Sequence, residues 1–198
     1  MMPWISEILI TALYTVFVQN LVFNGGYATS EAIRASSKPK SFVTFAVMIS
    51  GFSVVTSVIC RLVDSALAVQ TLPEAVYTAI YAAVLAAVYL IVAVFLRFVF
   101  KAGKNFLGTL GIAALNTLVF AVPFLNRRGA YTLAESIGSG LGAGVAFVLA
   151  SALICQGVYI LHDNKSLPEA FKGTPATFVY VAILSLAFSG FTGGSLFS

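Results

Sequence analysis

Charge is what this chain of 198 residues has least of. Asp, Glu, Lys and Arg together make up 9% of it, against 60% hydrophobic residues. Soluble domains carry about a quarter charged residues, and a chain this apolar could not cover a water-facing surface with polar groups. The shortage excludes a water-soluble globule and leaves lipid as the environment. Cysteine is scarce as well: Cys60 and Cys155 are the only two, both within apolar runs, where a thiol usually serves as a small apolar side chain. The single histidine, His162, stands beside Asp163 between apolar runs and reads as surface. No phosphate-binding loop, metal triad or nucleophile elbow is present, so the soluble-enzyme classes those motifs mark are excluded and no metal site is expected. The net charge of +4 does not point to nucleic acid, because the basic residues sit between apolar runs, where membrane topology puts them. Residues 1–10 contain no basic stretch, so the first apolar run is expected to be retained rather than cleaved.

What the chain has in abundance is continuous apolar sequence. A membrane barrel would alternate in segments of about ten residues; these runs do not alternate, so they read as helices. A spanning helix needs roughly 20 mostly apolar residues, and six runs qualify: 5–33, which is interrupted, 41–62, 75–100 with Pro73 near its start, 106–125, 132–161 and 175–195. The first, third and fifth loops between them hold Arg34, Lys38, Lys40, Arg97, Lys101, Lys104, Lys165 and Lys172; the second and fourth hold Arg61, Arg127 and Arg128. That split of 8 against 3 accounts for all 11 basic residues. The positive-inside rule then places the odd loops in the cytoplasm and both termini outside, as expected of a multi-pass protein of the cell (inner) membrane.

Two stretches recur at one spacing. Leu72-Pro73-Glu74-Ala75 precedes the third run and Leu167-Pro168-Glu169-Ala170 the sixth, 95 residues apart. Val58-Ile59-Cys60-Arg61 and Leu153-Ile154-Cys155-Gln156 repeat at the same offset of 95. A looser echo joins Asn20-Leu21-Val22-Phe23 to Asn116-Thr117-Leu118-Val119-Phe120. A duplication of about residues 1–101 into 102–198 follows. Each half holds an odd number of helices, so the second must enter the membrane from the other side. The expected fold is therefore all-α and integral to the membrane, with six spanning helices as two inverted three-helix repeats, a design found where ions or substrates cross. It would put Cys60 and Cys155 near opposite faces, too far apart for a disulfide.

The candidate site lies where the first and fourth helices are interrupted. Gln19, Asn20, Asn24, Gly25 and Gly26 break the first; Gly108, Gly111, Asn116 and Thr117, with Pro123 further on, mark the fourth. Gly lowers helix stability by about 1 kcal/mol relative to Ala, and corresponding breaks in two halves point to a site near the midplane. Asn20, Asn24, Gly25, Gly26, Asn116 and Thr117 are its expected members. Taken singly, each reads more simply as an interhelical hydrogen bond or a close contact. Gly138, Gly140, Gly142 and Gly144 read as a packing stripe. Glu31 and Glu135 follow the broken or Gly-rich regions and read as solvated carboxylates that an ion path could also use.

Pro168-Glu169-Ala170-Phe171-Lys172-Gly173, followed by Leu184-Ser185-Leu186-Ala187-Phe188-Ser189-Gly190-Phe191-Thr192-Gly193, resembles the end of the RnfA/NqrE family. Leu62-Val63-Asp64-Ser65 and Leu115-Asn116 resemble further family segments. The likeness covers nearly the whole chain, close in the last third and loose in the first 40 residues. It implies a six-helix subunit of the Rnf and Nqr ion-translocating electron-transport complexes, with inverted halves and broken first and fourth helices. It also implies a sister six-helix subunit (RnfE/NqrD-like) and partner subunits carrying flavins and iron–sulfur clusters. In the family each broken helix supplies one cysteine to a shared intramembrane iron–sulfur cluster. Here the first of those positions falls on Ala28 or Ser30, depending on a gap, and the second on Thr117. Such clusters are held by thiolates, and a neutral hydroxyl is a poor substitute. The expectation is that this chain holds no such cluster and no cofactor of its own.

Three functions compete. The first is a subunit of an Rnf/Nqr-like complex that moves sodium ions or protons, at most one part of a ferredoxin- or NADH-linked oxidoreductase. The second is a small-molecule or ion permease, or its substrate-binding membrane component, and it rests on the broken helices alone. The third is a structural assembly subunit, for which apolar replacements of Asn20, Asn24, Asn116 and Thr117 would leave complex activity intact.

Overall fold

The computed structural model describes residues 3–36, 42–66 and 73–193. Lys38, Lys40 and Leu72, counted above in a basic loop and in a repeated motif, lie outside them. Eight α-helices make up the described fold. They are α1 (Pro3–Phe17), α2 (Thr29–Ser36), α3 (Phe42–Ala66), α4 (Glu74–Val99), α5 (Lys104–Ala114), α6 (Thr117–Arg128), α7 (Leu133–Asp163) and α8 (Thr174–Ser189). Short 3-10 turns at Glu169–Phe171 and Gly190–Thr192 flank α8.

Among the described residues, five helical stretches are long and apolar enough to cross a membrane: Phe42–Ala66, Glu74–Val99, Lys104–Arg128, Leu133–Asp163 and Thr174–Thr192. The third of these contains α5, α6 and the break between them. The remaining apolar helix, Trp4–Phe17, is shorter. Its large side chains Ile5, Leu9, Ile10, Leu13, Tyr14 and Phe17 are exposed, recurring at helical spacing on one side. Leu90, Ile91, Val94, Phe95 and Phe98 of α4 and Phe178, Val179, Ile183 and Leu186 of α8 are exposed as well. Apolar faces of this extent mark contact with lipid or with another subunit.

Helix α7 is the centre of the bundle, and its glycines are the reason. It opens on a complete capping box: Thr132 Oγ1 accepts from Glu135 N (3.2 Å), and Glu135 Oε2 accepts from Thr132 N (2.7 Å). Glu135 is therefore occupied as a cap. One turn further, Gly138 and Gly142 face α1, while Gly140 and Gly144 face α3. A methyl group on Gly138 would stand 2.5 Å from the Ile8 carbonyl oxygen, and one on Gly142 2.7 Å from that of Ala12. On the other side a methyl group on Gly140 would stand 2.8 Å from Val54 N, and one on Gly144 2.8 Å from the Ala46 carbonyl oxygen. Without a hydrophobic drive between helices in lipid, such small-residue contacts let backbones approach and dispersion accumulate.

These contacts fix direction. Along α7 from 138 to 142 the partners on α1 advance from Ile8 to Ala12, so the two helices run parallel. From 140 to 144 the partners on α3 retreat from Val54 to Ala46, so α3 and α7 run antiparallel. At the α7–α8 hairpin, Tyr180 Oη donates to the Leu153 carbonyl (3.3 Å), and the Tyr180 ring fills the space beside Gly157.

The repeated Leu-Pro-Glu-Ala motifs share a local conformation at their prolines. Pro73 has φ −57, ψ 148 and Pro168 φ −58, ψ 143, and each carbonyl accepts from the amide three residues on at 2.9 Å. The first motif then runs straight into α4. The second stops after one 3-10 turn: Lys172 is extended (φ −66, ψ 153) and Gly173 takes φ 77 before α8 begins.

The glycine stripe gives a direct test. Gly142→Ala should destabilise the protein by about 1–3 kcal/mol, the usual cost of overpacking. Gly108→Ala, where an added methyl group meets nothing within 4 Å, should be neutral or slightly stabilising. Thermal unfolding in detergent compares the two.

Candidate functional site

Both helix breaks are built around an asparagine with the same job. Asn20 is fully buried. Its Nδ2 donates to the Val16 carbonyl (2.8 Å), and its Oδ1 accepts from Val22 N and Phe23 N (3.1 Å each). Asn116 is buried at the start of α6. Its Nδ2 donates to the Ala113 carbonyl (3.0 Å), and its Oδ1 accepts from Val119 N (2.9 Å). Each side chain thus takes a carbonyl near the end of one helix and the amides just beyond it: those of the turn after α1 for Asn20, and that of Val119 in the first turn of α6 for Asn116. Those are the groups a helix end leaves open, and in lipid they have no water to turn to.

Beyond Asn20 the chain winds through residues 18–28. Asn24 Nδ2 donates to the Val18 carbonyl (2.8 Å), and Tyr27 N donates to the Leu21 carbonyl (3.0 Å). Thr29 Oγ1 lies within hydrogen-bond reach of the carbonyls of Gly26 (2.9 Å) and Val22 (3.2 Å). Gly26 has φ 70, which costs glycine nothing. Ala28 has φ 54, a left-handed conformation that costs a residue with a Cβ roughly 1–2 kcal/mol. Its surroundings hold it there: Ala28 is 2% exposed, and its N–H donates to Thr117 Oγ1 at 2.9 Å. That bond joins the two breaks across 89 residues of sequence. Behind it, Leu21, Val22, Phe23 and Ala28 share one buried cluster with Leu110, Ala113, Ala114, Leu118 and Val119. Phe23 also packs on Phe188 of α8, with ring centroids 4.6 Å apart.

The expected site residues therefore divide. Asn20, Asn116 and Thr117 form the junction. Asn24, Gly25 and Gly26 are exposed on its outer side, and a methyl group on Gly25 would collide with the Tyr27 ring. Ser30 is exposed and donates to Glu31 Oε2 (2.8 Å). Thr117 and Asn116 line a cavity of about 280 Å³ with Ala82, Leu85, Leu115 and Phe120. Gln19 accepts from Tyr131 Oη at 3.4 Å. Burial, and then the neighbouring Tyr14 and Glu135, hold the Tyr131 phenol above its ordinary range, so it stays a neutral donor. His162 and Asp163 are exposed at the end of α7.

The donor set at the junction does not suit an iron–sulfur cluster. Its side chains are amides, hydroxyls and a methyl group, and the Thr117 oxygen already takes the Ala28 N–H. Both thiols, Cys60 and Cys155, are free and lie on α3 and α7, outside the breaks. Sequence reading passed over a second polar cluster, formed by Asp64, Tyr81, Asn126 and Arg127 at one end of the bundle. The available signal was a carboxylate and a guanidinium at the margins of apolar runs, positions that ionisable residues seldom take without a partner.

Five helical stretches of crossing length among the described residues, and two asparagine-capped breaks joined by the Ala28–Thr117 bond within a glycine-packed bundle, define a multi-pass membrane protein. The chain belongs to the Rnf-Nqr family: the family model described as "Rnf-Nqr subunit, membrane protein" matches residues 8–194. It is 39% identical over 84 residues to a component of the ion-translocating oxidoreductase complex of Rhodobacter capsulatus, covering 42% of this chain and 43% of that one. It is 35% identical over 99 residues to a component of the Na(+)-translocating NADH-quinone reductase of Pseudoalteromonas translucida, covering 49% and 48%. It is 31% identical over 85 residues to a component of the proton-translocating ferredoxin:NAD(+) oxidoreductase complex of Clostridium ljungdahlii, covering 41% and 42%. These matches each span less than half of the relative's length.

The Ala28–Thr117 bond can be tested without knowing the function. Thr117→Val should cost about 1–3 kcal/mol by leaving a buried N–H unpaired, and Thr117→Ser should restore most of it. Hydrogen exchange at the Ala28 amide should quicken in the valine variant alone.

Proposed function

We propose that the chain is a membrane subunit of a redox-driven complex that translocates sodium ions or protons, and that it supplies paired broken helices rather than a cofactor of its own. Family membership carries this reading and favours it over a permease. Relatives named for sodium and for proton translocation match about equally well, so the ion is left open. Partners would be a sister six-helix subunit, together with subunits carrying flavins and iron–sulfur clusters, as the family resemblance implies. With Ala28 or Ser30 and Thr117 at the positions of the family's cysteines, electrons would cross the membrane on those partners.

The membrane arrangement belongs to the same proposal. Helix α1, with 15 residues, rises about 22 Å, and α2, with 8, about 12 Å. Neither alone matches a hydrocarbon core of about 30 Å, but together they do. The two would make one interrupted crossing, as α5 and α6 would make another, giving six crossings in two inverted halves. Three observations support the inversion: the matched bonding of Asn20 and Asn116, the matched backbone at Pro73 and Pro168, and the antiparallel course of α3 and α7. The distribution of Lys and Arg supports an inner-membrane orientation with both termini outside.

Purification of the intact complex through a tag on this chain tests the reading. Flavoprotein and iron–sulfur partners should copurify, with iron and flavin assigned to them and none to this chain. Recovery of the chain without any redox partner, or with a bound metabolite, would overturn it. In vesicles, Asn116→Leu in an assembled complex should reduce redox-driven ion movement severalfold. Unchanged transport would reduce the junction to scaffolding.

A further inference from the structure

A second polar site lies where α3 and α6 end, and its lining includes none of the junction residues Asn20, Ala28, Asn116 and Thr117. A cavity of about 310 Å³ is lined by Ser57, Cys60, Arg61 and Asp64 of α3, Tyr77 of α4, Pro123, Asn126 and Arg127 of α6, and Ala130. Asp64 is two residues from the end of α3, Tyr77 is in the first turn of α4, and Arg127 is one residue from the end of α6. In a membrane protein such helix ends mark the interface, where lipid phosphates and ammonium groups lie.

The wall of this cavity is built, and its polar atoms await partners. Asp64 Oδ2 accepts from Tyr81 Oη at 2.5 Å, while Asp64 Oδ1 is buried with no partner among the described residues. Tyr77 Oη, Ser57 Oγ, Asn126 Nδ2 and Arg127 Nη1 are likewise buried and unpartnered among them. Tyr77 and Ser57 are each 2% exposed and Asn126 is 5% exposed, so ordinary solvent contact does not satisfy them. The Arg127 guanidinium lies over the Tyr77 ring, and Asn126 Oδ1 accepts from Ser139 Oγ at 2.6 Å, which holds both side chains in place.

The inventory selects the ligand. Arg127, Arg61, Asn126 Nδ2 and two hydroxyls can donate. Asp64 Oδ1, a carboxylate oxygen, asks for a donor in return. Two guanidinium groups against one carboxylate favour an anion, and the lone carboxylate oxygen favours an anion that also carries an N–H donor. We propose that this cavity binds a phosphate-bearing zwitterion with a primary ammonium group, its phosphate on Arg127, Asn126 and Ser57 and its ammonium on Asp64. The chemistry is that of a phosphoethanolamine group, whether it arrives as a phospholipid headgroup or free in solution. The site is separate from the junction of the broken helices and does not depend on the electron-transport reading.

Native mass spectrometry of the full chain in mild detergent, with added phosphatidylethanolamine, phosphatidylcholine or phosphatidylglycerol, tests this. Wild-type protein should retain the ethanolamine lipid about tenfold better than the choline lipid, which has no N–H for Asp64, as one charge-assisted hydrogen bond implies. Asp64→Asn should erase that preference, and Arg127→Gln should weaken retention of the ethanolamine lipid by about tenfold or more. Because Arg127→Gln removes a packed side chain, Ser57→Ala serves as the milder second variant, and thermal unfolding confirms that each variant is folded. Displacement of the lipid by soluble phosphoethanolamine would assign the ligand to solution, and its failure to displace would assign it to the bilayer. Equal retention of all three lipids, unchanged in Asp64→Asn and Ser57→Ala, would overturn the proposal, as would no retention of either ligand form.

Discussion

A helix that stops within a buried interior must hand its free carbonyls and amides to something other than water. In this protein two asparagines do so, one in each half of the chain. Asn20 and Asn116 each bond a carbonyl behind and at least one amide ahead. Each converts an otherwise costly interruption into a satisfied one. Every other feature of the junction follows from this. The chain is free to turn through residues 18–28, Ala28 reaches a left-handed conformation, and its amide finds Thr117 on the other broken helix. Two defects that would each weaken an isolated helix become one cross-braced element.

The glycines of α7 make that meeting possible. Four of them at two-residue spacing let α1 approach on one face and α3 on the other, closely enough that an added methyl group would strike backbone. With α1 parallel and α3 antiparallel to the same helix, the segment that follows α1 and the end of α5 come together within one buried cluster. The exposed apolar faces of α1, α4 and α8 are left for lipid and for neighbouring subunits. The same geometry separates the breaks from the polar cavity at Asp64 and Arg127, which sits where α3 and α6 end.

Much of this was legible in the sequence, because lipid enforces simple rules. Long apolar runs gave five of the crossing-length helices to within a few residues, and Asn with paired Gly marked the first break. The second break lay at the asparagine and not at the glycines: Gly108 and Gly111 remain inside α5, and only Asn116 ends it. A helix tolerates glycine, whereas a capping amide redirects backbone hydrogen bonds. The repeated Leu-Pro-Glu-Ala motif reads only as preceding the third and sixth runs; the separate 3-10 turn at its second copy, ahead of α8, was not foreseen. At the Asp64–Arg127 cavity the ionisable residues were visible one by one but their meeting was not, because its members come from three helices and no periodicity brings them together.

The central claim is that the two broken helices meet at Ala28 and Thr117. Pairing Ala28→Cys with Thr117→Cys, with Cys60 and Cys155 replaced by alanine, and treating native membranes with a short bifunctional thiol reagent measures it directly. Efficient intrachain cross-linking is expected between the two new cysteines. Absence of cross-linking at 28 and 117, with both thiols accessible to a monofunctional reagent, would contradict it.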